Sequence, residues 1–373
     1  MTPGRRTDAT GRVVPIHEAR KGRGAVSHIA HRFESREREA DGDALDAALA
    51  EGDDELPPLA TEVTFEHAGS VLAYNESPDL GFDRSINPYR GCEHGCPYCY
   101  ARPTHSYLNL SPGLDFETRL VAKRNAAEVL ERELAAPAYR PATVNVGSVT
   151  DAYQPIEREL RITRAIVEVL TRTRHPFTTV TKSALVERDL DLIVPVAQQG
   201  LVAVFFSLTT LDHELSRKLE PRAASPQRRL RAIATLAKAG VPVQVNLAPL
   251  IPFINEPEIE TLLEAAADAG ARFAHYAVLR LPWEVNPIFQ EWLQAHFPDR
   301  MQRVMNRVRD MRGGKDYDSR FGARMRGEGL WADLIRQRFE KGCARVGFLR
   351  DGRPLRTDLF VAPRAATPQL DLF

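Results

Sequence analysis

Short apolar segments alternate with longer amphipathic segments through the middle of the chain. The apolar segments are rich in β-branched residues, which favours buried strands: Thr143–Ser148, Phe177–Thr181, Leu201–Ser207, Val241–Leu247 and Phe273–Leu279. The segments that follow or separate them carry apolar residues at helical spacing: Arg158–Thr171, 185–196, Pro226–Ala239 and Glu256–Ala269.

Alternation of strand and helix at this rhythm predicts βα units around a parallel sheet. Counting one more strand just before Gly91, the chain has six such units. The strands are continuously apolar, which is typical of a sheet covered by helices. We therefore predict the α/β class and a partial (β/α)6 TIM-like barrel. An open doubly wound sheet is the alternative, but no G-x-G-x-x-G turn follows any strand, which argues against its dinucleotide-binding form.

Charge patterning divides the rest of the chain. Residues 1–56 have no sustained apolar period and consist of a basic half and an acidic half, which predicts a disordered tail. The barrel core is expected over residues 57–290. Residues 291–362 are predicted to form a helical, basic extension, in which Arg300–Arg326 holds nine Lys and Arg against three acids. This stretch is a candidate contact for DNA or RNA. Residues 363–373 are a Pro-containing tail.

The totals constrain the compartment and the partners. Lys plus Arg and Asp plus Glu each number 50, so the whole chain has no electrostatic preference for a polyanion or a membrane. No apolar core follows the basic residues of the N-terminus, so no export signal is expected. The longest uncharged run, Leu192–Leu211, contains Pro195 and a Gln-Gln-Gly break. It is interpreted as a helix end, a turn and a strand, not a membrane span, and we expect a cytoplasmic protein.

Three of the four cysteines, Cys92, Cys96 and Cys99, form a C-x3-C-x2-C triplet. Clustered thiols without an export signal indicate a metal site, not disulfides. Three thiolates can hold three corners of a four-iron cluster, which leaves the fourth iron open to an external ligand. The alternative is a zinc site with His94 or His105 as its fourth ligand. His94 lies between two of the cysteines and would reach the same ion only with strain.

The string NPYRGCEHGCPYCYAR at residues 87–102 resembles the signature of the radical SAM superfamily and, within it, the branch related to spore photoproduct lyase, a DNA repair enzyme. The likeness extends from about residue 85 to residue 281, through VTDAYQP, TKS, the LE and PR of LEPR, and LAPLIP. The resemblance implies a [4Fe-4S] cluster on the three cysteines and S-adenosyl-L-methionine (SAM) on the open iron. An external reductant would supply one electron, and SAM would be cleaved reductively to a 5′-deoxyadenosyl radical that abstracts hydrogen from a substrate.

The resemblance also assigns cofactor contacts by position. Tyr98 would flank the adenine, and Lys182 would pair with the methionine carboxylate. Thr150 and Ser207 would lie near the methionine part of the cofactor. Thr150, Lys182 and Ser207 each follow an apolar strand, so the pattern itself predicts that they meet at one rim of the barrel. Tyr98 and Tyr100 match tyrosines implicated in hydrogen transfer and are the candidate catalytic residues.

Ser148 departs from the pattern of that branch. It takes the position of the cysteine that returns hydrogen to the product radical, and a serine hydroxyl is a poor hydrogen-atom donor. Outside the triplet only Cys343 remains, so thymine-dimer repair by the same route is not expected. Four further polar residues fall in the rim loops, where they either bind ribose or substrate or cap helices: Asp151, Gln154, Glu220 and Arg222.

Three functions are compatible with these features. The first is a radical SAM enzyme acting on nucleic acid, by photolyase-like repair or base modification. The second is a radical SAM enzyme acting on a peptide or small molecule. The third is a non-catalytic, metal-stabilised nucleic-acid-binding module.

The final residues form the string QLDLF, which resembles the peptide by which bacterial repair and replication proteins dock on the sliding clamp. Gln369 would make hydrogen bonds, and Leu370, Leu372 and Phe373 would be apolar anchors. The alternative is a terminal strand or plug that packs on the chain's own barrel.

Overall fold

The computed structural model describes residues 21–34, 59–349 and 354–363, with the backbone of two short strands, Arg6–Thr7 (β1) and Val13–Val14 (β2). β1 and β2 pair antiparallel. The other residues of the predicted tail 1–56 lie outside the described residues. So do residues 364–373, and with them the predicted clamp-binding residues Gln369, Leu370, Leu372 and Phe373.

Ten further strands form two sheets: Glu62–Glu66 (β3), Leu72–Tyr74 (β4), Arg84–Ile86 (β5), Tyr89–Arg90 (β6), Arg119–Lys123 (β7), Val144–Val146 (β8), Phe177–Thr181 (β9), Val202–Ser207 (β10), Val243–Leu250 (β11) and Phe273–Val278 (β12). The main sheet has the order β12-β11-β10-β9-β8-β5-β4. Strands β5 and β8 to β12 pair in parallel, and β4 runs antiparallel to β5 at one edge. Six parallel strands in sequence order confirm the predicted α/β class and partial (β/α)6 barrel.

Helices follow the parallel strands and continue to the end of the described chain: Asp115–Thr118 (α1), Ala126–Leu134 (α2), Glu157–Leu160 (α3), Ile162–Arg172 (α4), Leu190–Ala197 (α5), His213–Leu219 (α6), Pro226–Lys238 (α7), Ile259–Asp268 (α8), Val285–His296 (α9), Pro298–Asp310 (α10), Ala323–Arg326 (α11) and Leu330–Val346 (α12). Three 3-10 segments accompany them: Arg102–Leu108, Ala184–Asp189 and Glu256–Glu258. The predicted helix over Arg158–Thr171 is two helices, because Arg161 adopts a left-handed conformation between them.

Local sequence explains the boundaries of α7 particularly well. The hydroxyl of Ser225 accepts a hydrogen bond from the Arg228 amide, and Pro226 takes the first helical position. Gly240, with φ of 82°, follows the last turn. The buried face of α7 carries Ile233 and Leu236, which pack in the same core as the sheet.

A second sheet of order β3-β7-β6 was not predicted from the sequence. Its strands are two or five residues long, and the strand β3 has a mostly exposed polar pattern, so no apolar run marks it. β6 leads directly into the cysteine triplet and pairs with β7. The second sheet therefore supports one side of the cysteine loop.

The basic extension folds as predicted into helices, but many of its arginines have partners. Arg309 pairs with Asp316, and Arg320 pairs with Asp318. The Arg324 guanidinium pairs with Asp79, which lies in the loop between β4 and β5. Because α11 contacts β12, this ion pair connects elements next to the two edges of the main sheet.

Residues 21–34 depart from the predicted tail and lie against the barrel; we call them the N-terminal strap. Arg23 and Ala25 are buried. The amides of Gly24 and Ala25 donate hydrogen bonds to the buried carboxylate of Glu117. The strap is ordered by long-range polar contacts, which an apolar period cannot reveal. Among the described residues, no helix combines the length and apolar character that crossing a bilayer requires.

Candidate functional site

A cavity of about 520 Å³ opens inside the barrel, where the parallel strands end. Every residue predicted for the metal, the cofactor or catalysis lines it: Cys92, Cys96, Cys99, Tyr98, Tyr100, Thr150, Lys182 and Ser207. The sequence placed them at separate strand ends and in one loop, and the register of the sheet brings those positions together. Ser148 lines the same cavity, at the position where the resemblance led us to look for a hydrogen donor.

The three thiols of the triplet are set into the wall of this cavity. Cys92 and Cys96 are 7% and 6% exposed. Burial raises the pKa of Cys96 to about 12, although the Lys182 ammonium opposes that rise. Ionised thiols at this position would need more positive charge than Lys182 provides, which a bound metal supplies. Cys343, by contrast, packs with the core that includes the outer helices.

No three His, Cys, Asp or Glu side chains among the described residues are arranged around a single metal ion. That arrangement is the one that zinc requires, with thiolates bound about 2.3 Å from one centre. A cluster differs, because its thiolates bind separate irons. The two histidines of the zinc alternative have other partners: His94 Nδ1 lies 3.2 Å from Asp151 Oδ2, and His105 Nε2 lies 2.9 Å from the Arg119 carbonyl oxygen. Three thiols that line one cavity are the protein ligands that such a cluster needs.

Lys182 provides a positive charge beside the thiols. Burial lowers the pKa of its ammonium, but the negative groups of Cys96, Glu220 and Asp151 outweigh burial and raise that pKa above its ordinary value. Lys182 therefore remains protonated. Within the described part of the chain, its Nζ has no hydrogen-bond partner, so it is available to a carboxylate in the cavity.

Thr150 holds the cysteine loop in place. Its hydroxyl donates a 2.6 Å hydrogen bond to the carbonyl oxygen of Gly91, next to Cys92. Gln154 Nε2 donates to the Thr150 hydroxyl oxygen at 3.0 Å, and the Glu93 amide donates to Gln154 Oε1 at 2.8 Å. Thr150 lies at the cavity, as the sequence predicts, but its hydroxyl proton is already donated to the Gly91 carbonyl oxygen.

The remaining polar residues of the rim loops also contact the cysteine loop. Besides His94, the Asp151 carboxylate accepts a hydrogen bond from the Lys182 amide at 2.7 Å. Burial raises the pKa of Asp151, but the charge of His94 and this amide outweigh it and hold the pKa at about 2. Arg222 pairs with Glu93 at 2.9 Å. Asp151 and Arg222 therefore support the cysteine loop and do not cap helices. The sequence alone left their roles open.

Tyr98 is held on the other side of the loop. Its hydroxyl donates a hydrogen bond to Glu220, which pairs with Arg229. All three residues are buried. The ring of Tyr98 packs with Leu219 and other apolar residues of the rim. Tyr98 thus presents its ring to the cavity, while its hydroxyl is bound to a carboxylate.

Tyr100 is the more accessible tyrosine, with 47% of its surface exposed. Its hydroxyl donates a hydrogen bond to the Ser148 carbonyl oxygen. The guanidinium of Arg280, which follows β12, lies 5.1 Å from the centroid of the Tyr100 ring. The Ser148 hydroxyl donates to the Ser85 hydroxyl at 3.0 Å.

Polar side chains also line the deeper part of the cavity, which the sequence analysis missed because they lie within apolar strands. Asn145 is 1% exposed, and its amide nitrogen donates to the Thr178 hydroxyl at 3.0 Å, whereas its amide oxygen has no partner among the described residues. Gln244 Nε2 donates to Asn246 Oδ1 at 2.8 Å. His275 completes this group, and burial lowers its pKa. The signal in the sequence that could have identified this group is a polar residue at a position of a parallel strand that faces the inside of the barrel.

Comparisons with known proteins agree with this site. The radical SAM superfamily model matches residues 86–266. An uncharacterized protein of Mycobacterium tuberculosis is 38% identical over 251 residues, which are 66% of this chain and 74% of the relative. An uncharacterized protein of Methanocaldococcus jannaschii is 26% identical over 223 residues, 60% of this chain and 80% of the relative.

Among solved structures, spore photoproduct lyase complexed with dinucleoside spore photoproduct superposes with a TM-score of 0.54. The match covers 82% of this chain and 93% of that chain, at 14% sequence identity. A cysteine-to-alanine mutant of the same lyase with dinucleoside spore photoproduct gives the same TM-score at 15% identity, over 82% and 93% of the two chains. At these identities the likeness establishes a shared fold.

Proposed function

This chain belongs to the radical SAM superfamily, and on that premise we propose that it is an enzyme with a [4Fe-4S] cluster on Cys92, Cys96 and Cys99 and with SAM bound beside it. When bound, this pair supplies radical chemistry, because one electron cleaves SAM reductively to methionine and a 5′-deoxyadenosyl radical. The observation that carries the proposal is that three thiols and the available Lys182 ammonium line one cavity.

The residues of the chain have separate tasks in this proposal. Lys182 pairs with the carboxylate of the methionine part, because a protonated ammonium without another partner favours an anion there. Ser207, 4% exposed at the end of β10, offers its hydroxyl to the same part of the cofactor. Tyr98 provides a flat apolar wall for the adenine. Thr150 acts on the cysteine loop through Gly91.

We further propose that nucleic acid is the substrate. The supporting observation is a basic strip made of Lys218 in α6 and of Arg300, Arg303 and Arg307 in α10. It is interleaved with the rings of Phe297, Phe253 and Trp331. Lys218 and Arg300 lie 5.2 and 5.9 Å from the centroid of the Phe297 ring.

The strip continues along the loop after β11 and the start of α12. Arg303 lies 3.9 Å from the Phe253 centroid, and Arg307 lies 4.3 Å from the Trp331 centroid. Arg307 pairs with Asp310. Lys218, Arg300 and Arg303 have no carboxylate partner among the described residues. Cations without carboxylate partners beside half-buried aromatic rings suit a phosphate backbone and its bases.

The hydrogen donor differs from a thiol in this proposal. Ser148 lines the cavity where a cysteine would be an efficient donor. Tyr100 lies beside it, half exposed and hydrogen-bonded to the Ser148 carbonyl. Tyr100 is the candidate that returns a hydrogen atom to the product, and Tyr98, with its hydroxyl on Glu220, is the second. A one-electron reductant in a reducing cytoplasm would then return the tyrosine that gave up the hydrogen atom to its original form.

The decisive experiment uses the full chain, reconstituted anaerobically with iron and sulfide. The protein is expected to bind about four irons and, when reduced, to release 5′-deoxyadenosine from SAM. DNA and RNA oligomers that carry deuterium in their bases and sugars are then tested for transfer of the label into 5′-deoxyadenosine.

Each outcome assigns the function. Label transfer from an oligomer supports a nucleic-acid substrate. SAM cleavage without transfer from any DNA or RNA oligomer directs the search to a peptide or small molecule. Zinc in place of iron, or a cluster that leaves SAM intact, contradicts the enzyme and supports a non-catalytic module.

A further inference from the structure

The N-terminal strap reaches a carboxylate next to the cysteine loop. The amides of Gly24 and Ala25 donate to Glu117 Oε2 and Oε1 at 3.0 and 2.8 Å. Arg23 donates to the carbonyl oxygen of Glu117 at 2.8 Å. Glu117 is fully buried, so its charge depends on these donors. Three consecutive strap residues are therefore fixed on one residue of α1, two on its carboxylate and one on its backbone carbonyl.

The same carboxylate connects the strap to the triplet. Glu117 pairs with Arg102, a guanidinium that is also fully buried. Arg102 Nε donates a 2.8 Å hydrogen bond to the carbonyl oxygen of Cys96. Two further bonds from Arg102 reach the carbonyl oxygens of Pro112 and Gly113 at 3.0 and 2.8 Å. A buried network in which each guanidinium nitrogen has an acceptor is rigid, so the position of Cys96 depends on a carboxylate that the strap completes.

The strap also touches the triplet directly. A Cβ atom placed on Gly24 would lie 1.5 Å from the carbonyl oxygen of Gly95 and 3.2 Å from Cδ of Pro97. Gly95 itself has φ of 71°, in the left-handed region. The backbones of Gly24 and Gly95 thus approach as closely as two glycines allow, directly before Cys96. No larger side chain fits at position 24 without displacing the strap or the loop.

We propose that the strap, through Arg23, Gly24 and Ala25, is a positioning element of the metal site, which holds the Gly95–Cys96 turn in the conformation that presents the thiols and covers that turn from solvent. This inference rests on the proposed cluster for its purpose, although the contacts themselves belong to the protein alone. None of the three strap residues touches the cavity, so they act through Glu117, Arg102 and Gly95.

The test compares Gly24→Ala with Gly69→Ala in the full chain. Gly69 has an ordinary φ and no atom within 4 Å of an added Cβ, so its variant controls for the substitution itself. Two readouts follow the metal-free chain under anaerobic conditions: the rate at which a thiol reagent labels Cys92, Cys96 and Cys99, and amide hydrogen exchange over residues 92–99. The reconstituted chain gives a third, the rate of iron loss to a chelator.

Gly24→Ala is expected to speed labelling and exchange of the triplet by about tenfold, because access requires local opening of the loop, and to speed iron loss. Cys343, half-buried in α12, reports on loosening of the rest of the fold and should label at the wild-type rate in both variants. If Gly24→Ala does not fold, Arg23→Ala replaces it. That change removes the anchor to Glu117 without a clash, and Arg23→Lys should restore part of the protection.

Equal labelling and exchange of the triplet in wild type, Gly24→Ala and Arg23→Ala would overturn the proposal. Equal acceleration at Cys343 would also overturn it, because the strap would then support the fold as a whole. If the wild-type chain binds no iron, the proposed cluster fails, yet labelling and exchange still decide whether the strap positions the turn.

Discussion

The ammonium nitrogen of Lys182 lies 6.0 Å from the centroid of the Tyr98 ring, on the same wall of the cavity as the cysteine thiols. Lys182 follows β9 directly and Tyr98 belongs to the cysteine loop, so the contact joins the sheet to that loop. Within the described residues the ammonium has no hydrogen-bond partner, and the ring has its hydroxyl bound to Glu220, so both can face a zwitterion with an aromatic group in the cavity. The following predictions start from this pair.

Lys182→Met removes one of the positive charges of the cavity, which Arg280 also lines. A charge-assisted hydrogen bond contributes about 1.5–3 kcal/mol, so the dissociation constant for SAM should rise about 10- to 100-fold. Equilibrium binding to the reconstituted protein measures it, and Lys238→Met, on the exposed end of α7, is the matched control. The iron content of Lys182→Met should stay at the wild-type level. An unchanged affinity for SAM would show that the carboxylate binds elsewhere.

Cys96→Ser tests the metal site. In the reconstituted chain, the neutral hydroxyl of serine is not expected to replace the thiolate as a ligand of iron. Iron content and 5′-deoxyadenosine release should therefore both fall to background. Cys343→Ser, in α12, should keep both. Iron analysis and the visible spectrum of the reconstituted chain check the pair. Retention of a full cluster in Cys96→Ser would remove Cys96 from the ligand set.

The basic strip should bind the sugar–phosphate backbone. Arg300→Ala with Arg303→Ala is expected to weaken oligonucleotide binding and to reduce the slope of log K against log salt by about one unit for each phosphate that the protein no longer neutralises. Fluorescence anisotropy over a salt series measures both. Arg231→Ala with Lys238→Ala removes the same charge from the exposed face of α7. Equal weakening in the two double variants would indicate a nonspecific effect of net charge.

His175 should make stability depend on pH between about 4 and 6.5. Burial lowers the pKa of this histidine to about 4, and its ring lies within 2.7 Å of the Tyr139 hydroxyl. Above pH 6.5 it is neutral in both the folded and the unfolded chain. As pH falls toward 4, the unfolded chain takes up a proton that the folded state excludes, so the free energy of unfolding decreases by about 1.4 kcal/mol per pH unit.

Denaturant unfolding at several pH values checks this effect. The stability advantage of wild type over His175→Gln should shrink as pH is lowered through that window and level off below about pH 4. His213→Gln, on the exposed start of α6, is the control and should leave the slope unchanged. A parallel pH profile for wild type and His175→Gln would contradict the assignment.

The QLDLF string gives a prediction from sequence alone. Leu372→Ala with Phe373→Ala should weaken binding of the full chain to a purified bacterial sliding clamp by at least about tenfold, because two of the three apolar anchors are removed. Thr367→Ala with Pro368→Ala, just before the string, should bind like wild type. No clamp binding by the wild-type chain would reject this partner.

The parallel strands were predictable because buried strands between helices carry continuous apolar residues. Phe177–Thr181 agrees at both ends, and β10 begins one residue later than expected. Thr150, Lys182 and Ser207 were predictable for a related reason: each lies at or after the end of such a strand, and the carboxyl ends of parallel strands meet.

The strap and the second sheet could not be predicted in this way. Gly24 and Glu117 are 93 residues apart, and their contact is polar and local to a few atoms. The basic half of the predicted tail has the composition of a solvated segment, which gives no sign that Arg23 within it is buried. The roles of Asp151 and Glu220 depend on their neighbours in the fold, which are His94 for Asp151 and Tyr98 and Arg229 for Glu220. No spacing in the sequence predicts these contacts.

The link between Asp79 and Arg324 has a consequence for how a substrate arrives. Asp79 and Met325 line the cavity, and the ion pair fastens their two segments together beside the open flank of the barrel. For the proposed nucleic-acid substrate, this fastening favours an approach from the rim, with one unit offered at a time. For a duplex, that means turning a single nucleotide out of its stack.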